Sequence, residues 1–385
     1  MRPPPERILV APDSFKGSLA AGDVADAMVR GLRRVLPGAT VMVHPVSDGG
    51  EGLIDAIVPA LRGEIEVVEV DGPLPGQRVH ARWGFVRSSS TAVIEMAEAA
   101  GLGLVPAGCG DPGRATTAGV GQLILAALDA GARTLLIGIG GSATNDAGAG
   151  MAVVLGAEFL DSAGDPLPRG GLALERLARV RPERLRERLR GISVTAACDV
   201  TNPLTGPEGA SYVFGPQKGA DASLVARLDR ALTTYADILA RDLGVEVRTA
   251  AGAGAGGGLA GGLLAFFGAH LVSGIDLVLD TTGFDEKLAR ADLVLTGEGR
   301  FDTQTLGGKA LAGILRRARA ARVPVAAIVG SLQADRADFL GPDKFTAIAT
   351  LVNGTTTERD AMEDPARHIA DRSGELIMDL TGGAR

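Results

Sequence analysis

The sequence is poor in aromatic residues and in cysteine. Only 3% of its 385 residues are Phe, Trp or Tyr, and there is a single tryptophan, Trp83. Few aromatic side chains are therefore available to stack on nucleic-acid bases. The two cysteines, Cys109 and Cys198, form neither a disulfide framework nor a metal-binding spacing, and they predict a reducing, cytoplasmic location.

Histidine and basic runs are also scarce. The four histidines have no metal-ligand spacing, and His44 on a strand and His270 on a buried helix are predicted to be structural. The net charge of −7, without a basic run, argues against nucleic acid as the main partner. The N-terminal residues lack the apolar core of a signal peptide.

No hydrophobic run predicts a membrane partner. Residues 249–275 carry no formal charge and are long enough to cross a bilayer, but residues 250–258 are almost all Ala and Gly. Large apolar residues begin only at Leu259 and recur at helical spacing. This segment is predicted to be a glycine-rich loop followed by a buried helix.

Glycine is abundant, with 55 residues, and it concentrates in residues 134–151, TLLIGIGGSATNDAGAGM. A short apolar strand, a turn of small residues and a helix start present main-chain N–H groups and a positive dipole end to an anion. Gly140, Gly141, Ser142 and Asn145 are the predicted nucleotide-binding residues. Packing alone is the alternative role of such glycines, and residues 252–258 are open to the same two interpretations.

The chain alternates short apolar strands with amphipathic helices, which predicts an α/β fold built on parallel sheets. Strand–loop–helix units open the chain and return in its last third. The prediction is a discontinuous Rossmann-like domain made of residues 1–63 and 285–385, with residues 64–284 inserted as a second α/β domain.

Polar side chains follow the predicted strands at the chain ends. Asp13, Ser14 and Lys16 follow the first strand, and Asp48 and Glu51 follow the second. A further exit loop at residues 297–302 follows a strand at residues 292–296. Since open α/β sheets bind ligands at the carboxyl ends of their strands, these side chains are predicted to share one rim.

Seven blocks of this sequence resemble the bacterial ATP-dependent glycerate kinases. They run in the order of that family over nearly the whole chain: APDSFKGSL (residues 11–19), SDGGEG (47–52), GIGGSATND (138–146), CDVTNPLTGPEGAS (198–211), FGPQKGA (214–220), GAGAGGGLAGGL (252–263) and TGEGRFDTQTLGGKA (296–310). Ala147, where a second glycine is expected, and Leu53, in place of a small polar residue, depart from the pattern.

The resemblance implies two α/β domains, one of them discontinuous, with the active site in the cleft between them. It also implies glycerate as substrate and ATP and Mg²⁺ as cofactors, with phosphorylation commonly at the 2-hydroxyl group. Phosphorylation at the 3-hydroxyl group is the alternative.

The residues give this reaction a chemical basis. No Gly-x-x-x-x-Gly-Lys-Ser/Thr loop is present. Main-chain N–H groups at residues 140–142, or at residues 254–258, could hold the triphosphate instead, and the first of these is favoured. Cations and fixed donors suit a carboxylate substrate, and phosphoryl transfer needs a base or a metal ligand among the carboxylates. The predicted residues are, for substrate, Asp13, Ser14, Arg300 and Asp302; for catalysis, Lys16, Asp48 (the base) and Asp199; and for the metal, Asp199 and Glu298.

Each carboxylate has a structural alternative, namely capping a helix or fixing a loop. Two other functions stay open on the sequence. A nicotinamide oxidoreductase would use the glycine turns, with Glu158 or Asp161 on the ribose, and a small-anion sensor would bind glycerate without turnover. The oligomeric state is expected to be monomer or homodimer.

Overall fold

The computed structural model describes residues 4–301, 310–333 and 335–382. The strands are β1 (Arg7–Val10), β2 (Thr40–Val43), β3 (Glu64–Asp71), β4 (Arg78–Val86), β5 (Thr91–Glu95), β6 (Thr134–Gly138), β7 (Glu158–Leu160), β8 (Arg179–Arg181), β9 (Ser193–Ala197), β10 (His270–Val272), β11 (Leu293–Phe301), β12 (Val325–Leu332) and β13 (Ala347–Thr350).

The α-helices are α1 (Ala21–Val35), α2 (Leu53–Ala60), α3 (Ala97–Ala100), α4 (Ala118–Asp129), α5 (Ala149–Val154), α6 (Glu183–Arg188), α7 (Ala210–Phe214), α8 (Ala222–Leu243), α9 (Leu259–Phe267), α10 (Gly274–Thr281), α11 (Phe284–Leu288), α12 (Ala310–Ala321), α13 (Glu358–Glu363) and α14 (Pro365–Thr381). Short 3₁₀ turns link several of them.

Contacts divide the chain into two compact units. The first unit comprises residues 1–48 and 275–385, and the second unit comprises residues 49–274. The predicted joints, after residues 63 and 284, lie further along the chain. The predicted position of the active site relative to the two domains stays a prediction.

The first unit is built on a parallel sheet with strand order β13-β12-β11-β1-β2. Strand β1 lies between β11 and β2, and it pairs Ile8 with Leu293 of β11 on one side and with Val41 of β2 on the other. Strands buried on both faces are apolar throughout, and Ile8, Leu9 and Val10 are fully buried. The amphipathic helices α1 and α14 contribute to the same core.

The second unit has a mixed sheet with strand order β10-β9-β6-β5-β4-β3. Strands β10, β9, β6 and β5 are parallel, whereas β4 and β3 run antiparallel at one edge. A two-stranded ribbon, β7 with β8, lies outside this sheet. The core of the unit joins strand residues to apolar side chains of α4, α8 and α9.

The predicted fold class, α/β with parallel sheets, is confirmed. The loop-then-helix prediction for residues 249–275 is also confirmed, because α9 begins at Leu259 and buries most of its length. Among the described residues no helix is both long and apolar enough to span a bilayer.

Two local predictions are wrong. His270 lies on the short strand β10 and is exposed, because the helix before it ends at Phe267. The other is the predicted exit loop at residues 297–302, because β11 continues to Phe301, paired with β12 as far as Leu332.

Glycines in β11 and β12 allow the two backbones to approach each other closely, and they do not form a turn. A Cβ on Gly330 would lie 2.2 Å from the carbonyl oxygen of Gly299, and one on Gly297 would lie 2.3 Å from the carbonyl oxygen of Ile328. Glycine inside a strand often marks such a contact between backbones. The consequence is that Glu298 and Arg300 stand on a strand, two residues apart and on one face.

Candidate active site

The first unit contains a pocket of about 450 Å³ at the carboxyl ends of its parallel strands. We call it the first-unit pocket. The residues that line it come from the segments after β1, β2 and β13, from β11 and β12, and from α13 and the start of α14. They are Asp13, Ser14, Phe15, Lys16, Ser18, Asp48, Glu298, Gly299, Arg300, Gly330, Ser331, Leu351, Val352, Glu358, Ala361, Met362 and Pro365.

Lysine and aspartate meet inside this pocket. The Nζ atom of Lys16 donates to Oδ2 of Asp48 at 3.0 Å, joining the segments that follow β1 and β2. The Lys16 side chain is 61% exposed and that of Asp48 is 21% exposed. An ion pair this open to water contributes little to stability, so its position in a pocket favours a functional role.

Asp13 is the most buried carboxylate of the first-unit pocket, with 5% of its surface exposed. Burial, with the nearby charge of Asp48 as a smaller cause, raises the pKa of Asp13 to about 7. The main-chain N–H of Ser14 donates to its Oδ1 at 2.6 Å and opposes the shift. A carboxyl of this kind can hold or release a proton near neutral pH.

The first-unit pocket is also lined by Glu298 and Arg300 of β11. Glu298 is mostly buried, and Arg300 is exposed and donates to the side-chain oxygen of Gln333. Ser331 of β12 lies directly across from Arg300 in the register. In addition, the Oγ atom of Ser18 is buried and has no hydrogen-bond partner among the described residues. The pocket therefore offers a guanidinium and hydroxyl groups to an oxygen-rich ligand.

The second unit has its own row of polar groups at the carboxyl ends of parallel strands. Glu95 ends β5, residues 139–148 follow β6, and Asp199 lies two residues after β9. Asp199 is exposed, and its Oδ1 accepts from the main-chain N–H of Gly274 at 2.9 Å. Since β5, β6 and β9 are neighbours in the sheet, these groups lie along one edge.

Glu95 caps α2 from a distance. Its two carboxylate oxygens accept from the N–H groups of Ile54 at 2.8 Å and Gly52 at 3.2 Å. The helix has no side-chain cap of its own at Gly52, so Glu95 supplies the acceptor that an N-cap residue ordinarily provides. Burial raises the pKa of Glu95 to about 7, against the effect of these two donors.

The glycine loop, as we call residues 139–148, presents main chain on its outer side. Gly141 is exposed, with φ of +72°, and Gly140 is partly exposed. Neither N–H group donates a hydrogen bond to another described residue. Free N–H groups after a strand are the usual means of holding phosphate.

The inner side of the glycine loop rests on buried polar contacts. Lys218 donates from Nζ to Oγ of Ser142 at 2.6 Å and to the carbonyl oxygen of Thr144 at 2.7 Å. The side-chain amide of Asn145 donates to Oγ of Ser211 at 3.0 Å. Ser142 and Asn145 are therefore used within the fold, and both are buried.

Asp146 joins this loop to two helices. Its carboxylate accepts from the N–H of Thr117 at the start of α4 and from the N–H groups of Gly148 and Gly150 at the start of α5. The residue is fully buried, and burial raises its pKa. One aspartate thus satisfies unpaired donors at both helix starts.

The second glycine-rich stretch, residues 252–258, packs beneath the glycine loop. The N–H of Ala147 donates to the carbonyl oxygen of Gly257 at 3.1 Å. A Cβ added at Gly257 would lie 1.9 Å from the carbonyl oxygen of Thr144. Apart from the partly exposed Gly256, these residues are buried, which favours the packing interpretation for this stretch.

Comparison with known proteins places the chain in a family. A profile of the Glycerate kinase family matches residues 8–381. The chain is 47% identical to "Glycerate kinase" of Bacillus subtilis (strain 168), covering 97% of each chain. It is 46% identical to "Glycerate 2-kinase" of Escherichia coli (strain K12), covering 98% of this chain and 99% of that one.

The chain belongs to the glycerate kinase family. Its fold agrees with a crystal structure assigned as glycerate kinase 2 from Salmonella typhimurium LT2, with a TM-score of 0.87 and 45% identity over 98% of both chains. The resemblance predicted from the seven sequence blocks is thereby confirmed. Membership of a kinase family decides against the nicotinamide alternative. Glu158, which that alternative placed on the ribose, forms an ion pair with Arg181 on the β7–β8 ribbon.

Six of the residues predicted for this glycerate kinase line the first-unit pocket together: Asp13, Ser14, Lys16, Asp48, Glu298 and Arg300. Gly140, Gly141, Ser142, Asn145 and Asp199 belong to the second unit. Asp302 lies outside the described residues. The individual roles of all these residues stay predictions. Among the residues that the structure describes, no three or more His, Cys, Asp or Glu side chains form a metal-binding group.

Sequence reasoning missed Lys218 and Glu95. Lysine and glutamate are rarely buried, and nothing in their spacing marks either of them as interior. Lys218 did stand in the FGPQKGA block that carries the family resemblance, whereas Glu95 stood in none of the seven blocks.

Proposed function

We propose that this member of the glycerate kinase family transfers the γ-phosphoryl group of ATP to the 2-hydroxyl group of glycerate, giving 2-phosphoglycerate and ADP. The observation that carries the proposal is the first-unit pocket, which gathers Lys16, Arg300 and several carboxylates at the strand ends of a kinase-family fold. The name of the Escherichia coli relative, glycerate 2-kinase, supports the 2-hydroxyl group.

The proposed substrate site is the first-unit pocket. Glycerate carries one carboxylate and two hydroxyl groups, and it is far smaller than a pocket of about 450 Å³. Arg300 suits its carboxylate because a guanidinium can donate two parallel hydrogen bonds. Ser14 and Asp13 suit the hydroxyl groups, and Asp302 is proposed alongside them.

Asp48 is the proposed general base. The substrate oxygen attacks the γ-phosphorus atom, the bond from that atom to ADP breaks, and the hydroxyl proton passes to the Asp48 carboxylate. Lys16 holds the Asp48 carboxylate within the first-unit pocket by its hydrogen bond to Oδ2. Lys16 is also suited to neutralising charge that develops on the moving phosphoryl group.

The proposed nucleotide site is the glycine loop, through the main-chain N–H groups of Gly140 and Gly141. Ser142 and Asn145 complete the prediction, and in the fold they order the loop. Mg²⁺ prefers carboxylate and phosphate oxygens, and the chemistry of Glu298 and Asp199 fits that ion as ligands. When bound, it would neutralise charge on the transferring phosphate. The cytoplasm is the proposed location.

ADP release measured with and without glycerate tests the proposal and separates it from a glycerate sensor. The expected result is ADP formation that needs ATP, Mg²⁺ and glycerate together. Phosphorus NMR of the product then identifies the position. A phosphate on the 3-hydroxyl group would overturn the regiochemistry, and no ADP above the rate without glycerate would overturn the reaction.

A further inference from the structure

Lys218 has no part in the reaction described above, yet it occupies an unusual position. It ends the 3₁₀ turn Pro216–Lys218 between α7 and α8, and only 2% of its surface is exposed. Burying an amine without pairing its N–H groups is energetically costly. A buried lysine therefore needs partners that repay this cost.

Both of its partners belong to the glycine loop. The Nζ atom contacts Oγ of Ser142 at 2.6 Å and the carbonyl oxygen of Thr144 at 2.7 Å. Ser211, on the neighbouring helix α7, accepts from the side-chain amide of Asn145 at 3.0 Å. The segment that runs from α7 to α8 therefore holds the glycine loop at Ser142, Thr144 and Asn145.

The backbone of the glycine loop needs neighbouring contacts to keep it in one conformation. Two of its first three residues, Gly140 and Gly141, are glycines, whose backbone is the least restricted of any residue. A ligand that had to order this backbone on binding would lose affinity by the entropy of ordering. Contacts from beneath, in place before the ligand arrives, remove that loss.

The charge state of Lys218 does not decide whether these contacts form. Burial lowers the pKa of Lys218 to about 7, and the carboxylate of Asp146 opposes the shift. A neutral amine keeps two N–H bonds and the ammonium form has three, so either form can satisfy both acceptors.

We propose that Lys218 is a positioning residue for nucleotide binding, fixing Ser142 and Thr144 so that the N–H groups of Gly140 and Gly141 face the phosphates of ATP. The inference rests on the proposed use of the glycine loop for ATP. Lys218 itself does not touch the nucleotide, since it lies beneath the loop.

Lys218→Met tests this, because methionine is of similar length and lacks the donors. We expect the KM for ATP to rise at least about tenfold, the effect of losing one hydrogen bond to a charged group, while the KM for glycerate stays unchanged. The increase in Tm on adding ATP and Mg²⁺ should shrink in parallel. A folded Lys218→Met enzyme with the wild-type KM for ATP would overturn the proposal.

The matched control is Lys287→Met, which removes a half-buried lysine whose Nζ also donates to a carbonyl oxygen, that of Val43 in the first unit. It should leave both KM values unchanged. An equal rise in the KM for ATP in this control would show that removing any partly buried lysine weakens ATP binding. That result would overturn the specific claim for Lys218.

Ser142→Ala keeps the proposal testable if Lys218→Met does not fold. The KM for ATP should rise in this variant without a change for glycerate, and an unchanged KM for ATP would overturn the proposal. Where Lys218→Met does fold, the double variant should be no worse than Lys218→Met alone. Additive effects would mean that Ser142 acts independently of Lys218. Wild-type enzyme is assayed alongside, so failure of the proposed reaction is seen there first and separately.

Discussion

The burial of Asp13 at the candidate active site lowers the stability of the protein when its carboxyl group is ionised. Its carboxyl lies almost fully buried beside Asp48, and the pKa of Asp13 rises to about 7. In the unfolded chain the same group titrates near its ordinary value of 3.8. The folded protein therefore binds the proton more tightly, and its free energy of unfolding falls as the pH rises from about 4 to 7.

Asp13→Asn removes this cost, since asparagine carries no charge and keeps an oxygen for the N–H of Ser14. At pH 8 the variant should have a higher Tm than the wild type. Its free energy of unfolding should be greater by up to about 4 kcal/mol. The difference should vanish towards pH 4. Thermal unfolding followed from pH 4 to 8 measures it.

Asp292→Asn is the control of opposite sign. Arg7 lowers the pKa of Asp292 through a hydrogen bond and its charge, so this variant should lose stability at neutral pH and recover towards low pH. A gain for Asp13→Asn that is the same at every pH would contradict the assignment.

Lys16 should matter to turnover and hardly at all to folding. Lys16→Ala removes a cation from the first-unit pocket, and kcat should fall at least about 100-fold if the lysine stabilises the transferring phosphate. Unfolding free energy should change by less than about 1 kcal/mol, because the pair with Asp48 is largely open to water. Steady-state kinetics and thermal unfolding give the two numbers.

Lys344→Ala provides the matched control, because Lys344 is exposed, is not among the residues that line the pocket, and donates to a main-chain oxygen of Asp338. It should retain wild-type kcat. Full activity in Lys16→Ala would remove Lys16 from the mechanism.

Residue-level reasoning on the sequence grouped the polar residues that follow the strands of the first unit, and it missed the buried Lys218 and Glu95 of the second unit. Asp13, Ser14, Lys16 and Asp48 could be grouped because they follow apolar strands, and parallel strands bring their carboxyl ends to one edge. Lys218 could not be found in this way. Its burial depends on three-dimensional partners, Ser142 and Thr144, which are more than 70 residues away along the chain.

Elements were predictable where hydrophobic periodicity is strong. The first predicted strand, which precedes Asp13, is β1, and the amphipathic helix α1 follows it, because apolar runs and amphipathic spacing determine these elements. β11 was predicted too short, since Gly297 and Gly299 resemble a turn in sequence. In the fold they permit close backbone approach, which only the neighbouring strand β12 reveals.

The packing of residues 252–258 against the glycine loop gives a prediction at the level of elements. Gly257→Ala would place a Cβ 1.9 Å from the carbonyl oxygen of Thr144, at a φ of +66°. Because neither backbone can yield without moving the loop, we expect a loss of about 3 kcal/mol in unfolding free energy. Denaturant unfolding measures the loss.

Gly244→Ala is matched to it in backbone conformation. Gly244 has φ of +72° and nothing within 4 Å of an added Cβ, so its substitution should cost only the left-handed strain, about 1 kcal/mol. Equal losses in the two variants would mean that packing beneath the loop contributes nothing beyond that strain.

At the scale of the whole molecule, both ends of the chain build one sheet. The order β13-β12-β11-β1-β2 places strands from residues 7–43 beside strands from residues 293–350. Similar strand–loop–helix units at the two ends made this arrangement predictable. The points where the chain passes between the two units, at residues 48–49 and 274–275, carry no marked change in composition, so the sequence could not locate them.

The net charge of −7 on the whole molecule does not favour the binding of anions. Glycerate and ATP are both anions, so their attraction must come from local positive groups rather than from the overall charge. In the first-unit pocket these groups are Lys16 and Arg300. The account therefore depends on whether Arg300 binds the carboxylate of the substrate.

The KM values of Arg300→Ala for glycerate and for ATP test this most directly, with Arg359→Ala, an exposed arginine of α13 outside the pocket lining, as control. Our account predicts that the KM for glycerate rises at least about tenfold in Arg300→Ala, with the KM for ATP unchanged, and that neither value changes in the control. An unchanged KM for glycerate in Arg300→Ala would contradict it.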